Sequence, residues 1–312
     1  MRTLVTRWLL TAVPLLLGVS ALTFVLASLV PGDAARSILG LGATEAQYEA
    51  LRSELGLDQP LWQRYTDWLG DALQGDLGQS IQSSGSVSSE LGGRLGVTLS
   101  LVVGAVLLAG VVGVGLGLAS ALRGGFLGKV VDVISLLGLA IPAYWLGLVL
   151  VTFLAVSWQV FPATGYVPFA ESPGLWLQSL ALPVLTLGFG SAAPIAKQTR
   201  DGVMAELEKD YVAVLRARGI SERRIILKHV LRNAGTPVLS VVGLVTIGLF
   251  GGAVLAESVF VLPGLGSAVV TATPAHDLPL IQGVAVYFTI AVVLVNLLVE
   301  LGYAALNPKV RA

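Results

Sequence analysis

The stretch DYVAVLRARGISERRIILKHVLRN, Asp210–Asn233, sets six Arg and Lys residues within 24 positions. It stands between two long segments without a single charge, Ser172–Ala196 and Asn233–Ala256. The same rhythm runs outward in both directions. Trp8–Val30, Leu95–Leu122, Val133–Val156 and Leu278–Val299 are also uncharged, and each reaches the roughly 20 residues a helix needs to cross a hydrocarbon core. Six spanning helices are therefore expected, in an all-α integral membrane protein.

Composition agrees. Of 312 residues, 55% are hydrophobic and 12% charged, and mean hydropathy is +0.83. A soluble domain carries about 25% charged residues, so this chain has too little polar surface to cover itself in water. The formal net charge is zero, which points to no nucleic-acid partner. Cysteine is absent, which removes disulfides, thiolate metal sites and cysteine nucleophiles. The first span follows Arg2 and Arg7, as a signal peptide would, but its 23 uncharged residues exceed the usual apolar region of about 7–15. A retained anchor is expected.

Numbering the connections alternately puts 15 of the 19 basic residues on one side. The short connections 157–171 and 257–277 on the other side have none. Basic residues favour the cytoplasmic face, so both termini are expected there.

Between the first and second spans lies an external segment, 31–94. Thr44 followed by Gln47 forms a capping-box pattern at the start of a helix through Leu55. A second helix is expected over Leu61–Leu73, where Leu61, Trp62, Tyr65, Trp68, Leu69 and Ala72 recur at helical spacing. The segment reads either as a cap on the external ends of the spans or as a docking surface for an external partner. The connection 257–277, ESVFVLPGLGSAVVTATPAHD, is apolar but interrupted by Pro263, Gly264, Gly266 and Pro274. A re-entrant external loop near a pathway is expected, because irregular backbone at membrane depth survives only where protein or a water-filled cavity satisfies it.

In the basic stretch, Met204, Leu207, Tyr211, Val214 and Arg218 form an apolar stripe at helical spacing. Acidic residues come early and arginines late, complementing the helix dipole. Gly219 sits where a left-handed residue ends a helix, and Ser221 can cap a second one with Glu222 in its first turn. There Arg224, Lys228 and Arg232 recur every four residues, opposite Ile226, Leu227, Val230 and Leu231. Two short amphipathic helices hinged at Gly219 are expected. They could rest on anionic lipid or serve as a rigid lever for a cytoplasmic partner.

The stretch resembles the cytoplasmic loop of binding-protein-dependent ABC importer permeases, the di- and oligopeptide branch. So do LVPGDAARSILG, ELGLDQPLWQRYTDWLGDALQGDLGQSI, LAIPAYWLGLVL, VFPATGY, ESVFVLPGLG and the final HDLPLIQGVAVYFTIAVVLVNLLVELGYAALNPKVR, in the same order. The resemblance implies the type I importer permease fold: an N-terminal span (1–30), the external segment (31–94), the permease domain (95–306) and a cytoplasmic tail (307–312). It implies that the loop carries the family's EAA motif, with its glycine at Gly219 and with Ala213, Val214 and Leu215 in place of Glu-Ala-Ala. The first helix would be the coupling helix that docks on an ATPase subunit. Asp210, Tyr211, Leu215, Arg216, Arg218 and Gly219 are the expected coupling residues, flanked by Arg223 and Arg224. Glu257, Phe260, Pro263, Gly264 and Gly266 would stand at an external gate or on the binding-protein side.

Implied partners are a second, homologous permease, two ABC ATPases and an external solute-binding protein. ATP and Mg²⁺ belong to the ATPases. The chain is expected to be non-catalytic and to hold no metal or cofactor. Its nearest approach to a phosphate loop, GGFLGKV at Gly124–Val130, is one residue short and lacks the Mg²⁺-binding hydroxyl. Nickel-chelate or glutathione import are alternatives within the class. A secondary transporter or channel is the rival outside it, favoured by mid-span ionisable residues, which are lacking. Glu257 and Glu300 lie near span ends. His229 and His276 are expected to be exposed.

Overall fold

The computed structural model describes residues 2–40 and 42–306, so the expected tail at 307–312 lies outside the described residues. Among these the chain is helical, with an isolated β-bridge between Gln79 and Ser86. The helices are α1 (Arg2–Ser28), α2 (Ala34–Leu39), α3 (Glu45–Glu54), α4 (Leu61–Ala72), α5 (Val87–Arg123), α6 (Gly125–Ala140) and α7 (Ala143–Leu150). They continue with α8 (Pro173–Leu207), α9 (Asp210–Ala217), α10 (Glu222–Arg224), α11 (Leu231–Phe260), α12 (Leu265–Ala272) and α13 (Leu278–Leu306).

Among the described residues, five stretches are long and apolar enough to cross a membrane: Leu10–Ser28, α5, α8, Glu222–Phe260 and α13. The sixth expected span, Val133–Val156, is not one helix. It breaks between α6 and α7 at Ile141 (ψ 121°) and Pro142 (ψ 131°). Proline has no N–H to continue the ladder and pushes the residue before it out of helical geometry. The apolar path then resumes as α7 and a π-helical turn, Val151–Ser157.

The chain divides into two compact units. One comprises Met1–Thr98 and Pro263–Val293, the other Leu99–Leu262 and Leu294–Ala312. In the first, Thr44 caps α3 with the full reciprocal box to Gln47. Helix α2, which the periodicity did not indicate, starts where Asp33 accepts from the Ala35 N–H at 2.8 Å. Helix α4 packs on α1 through Tyr65, whose hydroxyl lies 2.9 Å from Ser20 Oγ and whose ring is edge-on to Phe24. Its stripe is narrower than expected. Tyr65 and Trp68 face inward, while Leu61 and Trp62 are exposed.

The core of this unit joins Leu77, Val87 and Leu91 to Leu265, Ala268, Ala272, Leu280 and Val284. Gly283 lets α13 approach closely, since a Cβ there would meet Leu91 and Val87 at 2.7 Å. Asp277, fully buried, closes the unit. One of its oxygens accepts from Ser80 Oγ (2.6 Å) and the Gln82 N–H (3.2 Å), the other from the Leu280 N–H (3.2 Å) at the start of α13.

In the second unit α5, α6, α7 and α11 pack around α8, whose buried residues run from Ser179 to Glu206. Gly113 and Gly117 are the close-approach pair that their spacing indicates. A Cβ on Gly113 would sit 2.8 Å from the Ala192 carbonyl oxygen, and one on Gly117 2.4 Å from that of Ala196. The similar spacing Gly248–Gly252 is not such a pair, because Gly248 faces open space. Arg200 on α8 holds Asp132 on α6 in a two-oxygen ion pair.

Candidate functional site

The basic stretch forms a corner between two long helices. Helix α8 ends at Leu207, Lys209 is extended (ψ 143°), and α9 begins at Asp210, whose carboxylate lies in the first turn. After eight residues α9 stops at a two-bond C-terminal cap. The Gly219 N–H donates to Arg216 O (2.9 Å) and the Ile220 N–H to Leu215 O (3.2 Å). Gly219 takes φ 74°, the left-handed geometry that such a cap requires of the residue after the helix.

Beyond the hinge the outcome differs from expectation. There is no separate second amphipathic helix, because α10 runs through a π-helical turn (Ile225–Val230) into α11. Ser221 occupies the cap position without a side-chain bond, and its carbonyl accepts from the Arg224 and Ile225 N–H groups instead. The stretch is thus one short helix slung between two long ones.

The buried side of the corner is Val203, Val212, Ile225, Val230 and Ala234, with Tyr211 and Leu215 packed against it. Val214 and Met204 were expected on that side, yet Val214 is 52% and Met204 41% exposed. Leu227 faces outward as well. The non-helical residue at 209 resets the helical phase, so a stripe counted through it from α8 does not carry into α9. α9 turns outward Asp210, Ala213, Val214 and Ala217, a single face at spacings of three and four, small at its centre, with Arg216 exposed beside it.

A polar knot holds α9 in place. Glu206 on α8 is 8% exposed. Its carboxylate accepts from the Tyr211 hydroxyl (2.8 Å) and from Asn233 Nδ2 (3.3 Å), and it pairs with Lys209. Asn233 Nδ2 also donates to the Tyr211 oxygen at 3.2 Å. Burial, then the Glu206 bond, pushes the Tyr211 phenol above its ordinary value. Arg216 reaches across the turn to Glu222. The sequence places Glu206 only among the early acidic residues that complement the helix dipole, not as the anchor of α9. Its signal was available: Val203, Glu206 and Lys209 follow at intervals of three, which places a carboxylate beside a buried valine and within reach of a lysine.

The structure brings the expected coupling residues Asp210, Tyr211, Leu215, Arg216, Arg218 and Gly219 into this one corner and divides them by environment. Tyr211 and Leu215 are tied inward, Arg216 is engaged by Glu222, and Asp210, Arg218 and Gly219 are exposed. Arg223 and Arg224 are exposed beside them and, with Ser221, Leu227 and Lys228, line an open depression of about 450 Å³. Among the described residues Arg218, Arg223 and Arg224 make no ion pair closer than 4 Å.

The five residues of the expected external gate do not share one unit. Glu257 and Phe260 are buried in the second, where the Phe260 carbonyl accepts from the Gly165 N–H at 3.0 Å. Pro263, Gly264 and Gly266 belong to the first, where Gly264 opens α12, Gly266 is buried within it and Pro263 is exposed. His276 is not the free, exposed side chain expected. Its Nε2 lies 3.0 Å from the Pro31 carbonyl oxygen and its Nδ1 3.1 Å from Ser37 Oγ. His229 is half-buried. No group of three or more His, Asp or Glu residues able to hold a metal ion occurs among the described residues.

Apolar helices long enough to cross a membrane and one basic, helix-bearing corner describe a membrane-embedded helical protein, and comparison with known proteins gives its family. Residues 113–312 match the family described as binding-protein-dependent transport system inner membrane component, and residues 1–102 match its N-terminal companion. The chain belongs to this family: it is an inner-membrane permease component of a binding-protein-dependent transport system, a class in which the membrane subunit is not the catalyst.

A putative peptide transport system permease protein of Brucella abortus is 38% identical over 312 residues, covering 100% of this chain and 99% of that protein. A probable D,D-dipeptide transport system permease protein of Escherichia coli is 37% identical, covering 94% of this chain and 93% of its own. Among solved structures, a chain of the MetNI methionine ABC transporter in an inward-facing form superposes with a TM-score of 0.58 at 19% identity, covering 70% of this chain and 96% of that one. The fold is that of type I ABC importer permeases.

Proposed function

We propose that this chain is the permease subunit of an ATP-driven importer of di- or oligopeptides, that it supplies half of the translocation pathway, and that α9 is the element gripped by a cytoplasmic ATPase. The observation that carries the reading is the two-sidedness of α9. One side is tied to α8 and α11 by Val212, Tyr211 and the Glu206 knot, and the other offers Ala213, Val214 and Ala217 to solvent. A helix held this way transmits a push to the long helices rather than absorbing it. Arg218, Arg223 and Arg224, without an ion pair among the described residues, add cations for acidic groups on the motor.

In this reading the termini and the corner face the cytoplasm, a second homologous permease completes the pathway, and an external solute-binding protein delivers the ligand. ATP closes the paired ATPases, α9 moves with them, and the spans rock between access states. That requires ATP to favour one state over the other, since a ligand with equal affinity for both shifts nothing. Peptides are the cargo class because the relatives that match nearly end to end are named for peptide transport.

The test is a purified assembly in liposomes, supplied with ATP inside and a labelled dipeptide with binding protein outside. Arg218→Glu and Val214→Pro are expected to reduce uptake at least tenfold while ATP hydrolysis continues. Wild-type uptake by both variants at normal protein levels would contradict the reading.

A further inference from the structure

Helix α6 is a short rod with a joint at each end. At its start Gly124 and Gly125 both take φ 56°, a left-handed conformation that residues with a side chain seldom hold, so the chain turns sharply between α5 and α6. At its end the backbone leaves helical geometry at Ile141 and Pro142. Between the joints α6 lies along α8, and two contacts between them are of opposite kinds. One joins small residues. A Cβ on Gly138 would sit 3.3 Å from that of Ala193, and one on Gly190 3.6 Å from the Gly138 carbonyl oxygen. Such a contact permits close approach without fixing an angle.

The other contact is the ion pair. Arg200 Nη1 donates to both carboxylate oxygens of Asp132, at 2.5 and 2.6 Å. The guanidinium passes α6 where Gly128 leaves room, since a Cβ there would lie 3.6 Å from Nη2. Its base is firm, because a Cβ on Gly117 of α5 would lie 3.1 Å from the Arg200 backbone nitrogen. Asp132 stands six residues before Gly138, about 9 Å along the helix. The two contacts together therefore set how α6 is aimed. With side chains 25% and 44% exposed, the pair adds little stability. A charge-assisted bond to two oxygens does restrict orientation.

We infer that Arg200 is a positioning residue for transport: it clamps the start of α6 to α8, so that α6 follows α8 when α9 is moved. Glu206, which anchors α9, lies six residues beyond Arg200 on the same helix, less than two turns away. The clamp takes its motion from α9 and so rests on the coupling reading, but the clamp itself is separately measurable.

The experiment uses the full permease assembly in liposomes, with partner subunits made cysteine-free. This chain has no cysteine of its own. Nitroxides are placed on Phe126→Cys of α6 and Leu244→Cys of α11, positions 81% and 70% exposed. Double electron–electron resonance is expected to give a narrow distance in each nucleotide state when Asp132 is present and a broad one in Asp132→Ala. Without the labels, Asp132→Ala is expected to raise the ATP hydrolysed per dipeptide imported about tenfold, the scale of one lost charge-assisted bond. Asp132→Glu, which keeps the carboxylate, should restore most of that ratio. A pair that merely stabilises would instead lower hydrolysis and uptake in step. Asp132→Asn, of the same shape, decides the matter if Asp132→Ala impairs assembly. A narrow distance without the carboxylate, or an unchanged ratio of hydrolysis to uptake, would overturn the assignment. With both expectations met, wild-type uptake by Arg218→Glu would defeat the coupling reading alone.

Discussion

Tyr211 shows how one hydroxyl can set the stiffness of a helix. It donates to Glu206 Oε2 at 2.8 Å and accepts from Asn233 at 3.2 Å, so α8, α9 and α11 share one bond system. Tyr211→Phe leaves the carboxylate short of a donor at a cost of about 1 kcal/mol. Hydrogen exchange at the α9 amides should then quicken roughly fivefold, and unchanged protection would show that the knot does not hold the helix. The sign of the pH effect follows from the raised phenol. Below its ordinary value, about 10, folded and unfolded forms both keep the proton and the stabilisation is complete. Above it the unfolded form releases the proton first, so stability falls until pH passes the higher folded value. Protection of α9 should therefore decline above pH 10 in the wild type and less so in Tyr211→Phe. Some residue roles are written in local spacing, such as the Thr44 and Gln47 cap and the left-handed Gly219. Others are not: Asp277 meets Ser80 across 197 positions and Gln282 meets Ser20 across 262, distances at which no local pattern operates.

Helices pack in a membrane through close contact rather than through expulsion of water, so glycine placement is the sharpest variable at the scale of elements. Gly117 lies against the Ala196 backbone, which cannot yield as a side-chain tip could, while Gly115, two residues away on α5, has nothing within 4 Å. Gly117→Ala should force α5 from α8 and destabilise by about 1–3 kcal/mol, whereas Gly115→Ala should be neutral or slightly stabilising because alanine favours helix. Thermal unfolding of the two purified variants checks the contrast, and equal behaviour would deny the close contact. Most helices were legible from uncharged length and caps. The exceptions share a cause, a local break that hydropathy does not register. Ile141 and Pro142 divide an apolar run, and the extended Lys209 resets the phase ahead of α9. Conversely, the cationic pattern after Ser221 suggested a boundary where α10 passes without interruption into α11.

For the whole molecule, family and fold rest on matches over nearly the full chain, and the proposed mechanism rests on the outer face of α9 being covered by a motor. The absence of native cysteine makes that directly measurable. Val214 is 52% exposed on that face, so Val214→Cys places a single thiol where the ATPase would sit. Labelling with a membrane-impermeant maleimide should be slow in the intact purified assembly and fast once the ATPase subunits are stripped away. Equally fast labelling in both would mean that nothing grips the helix, and would contradict the mechanism.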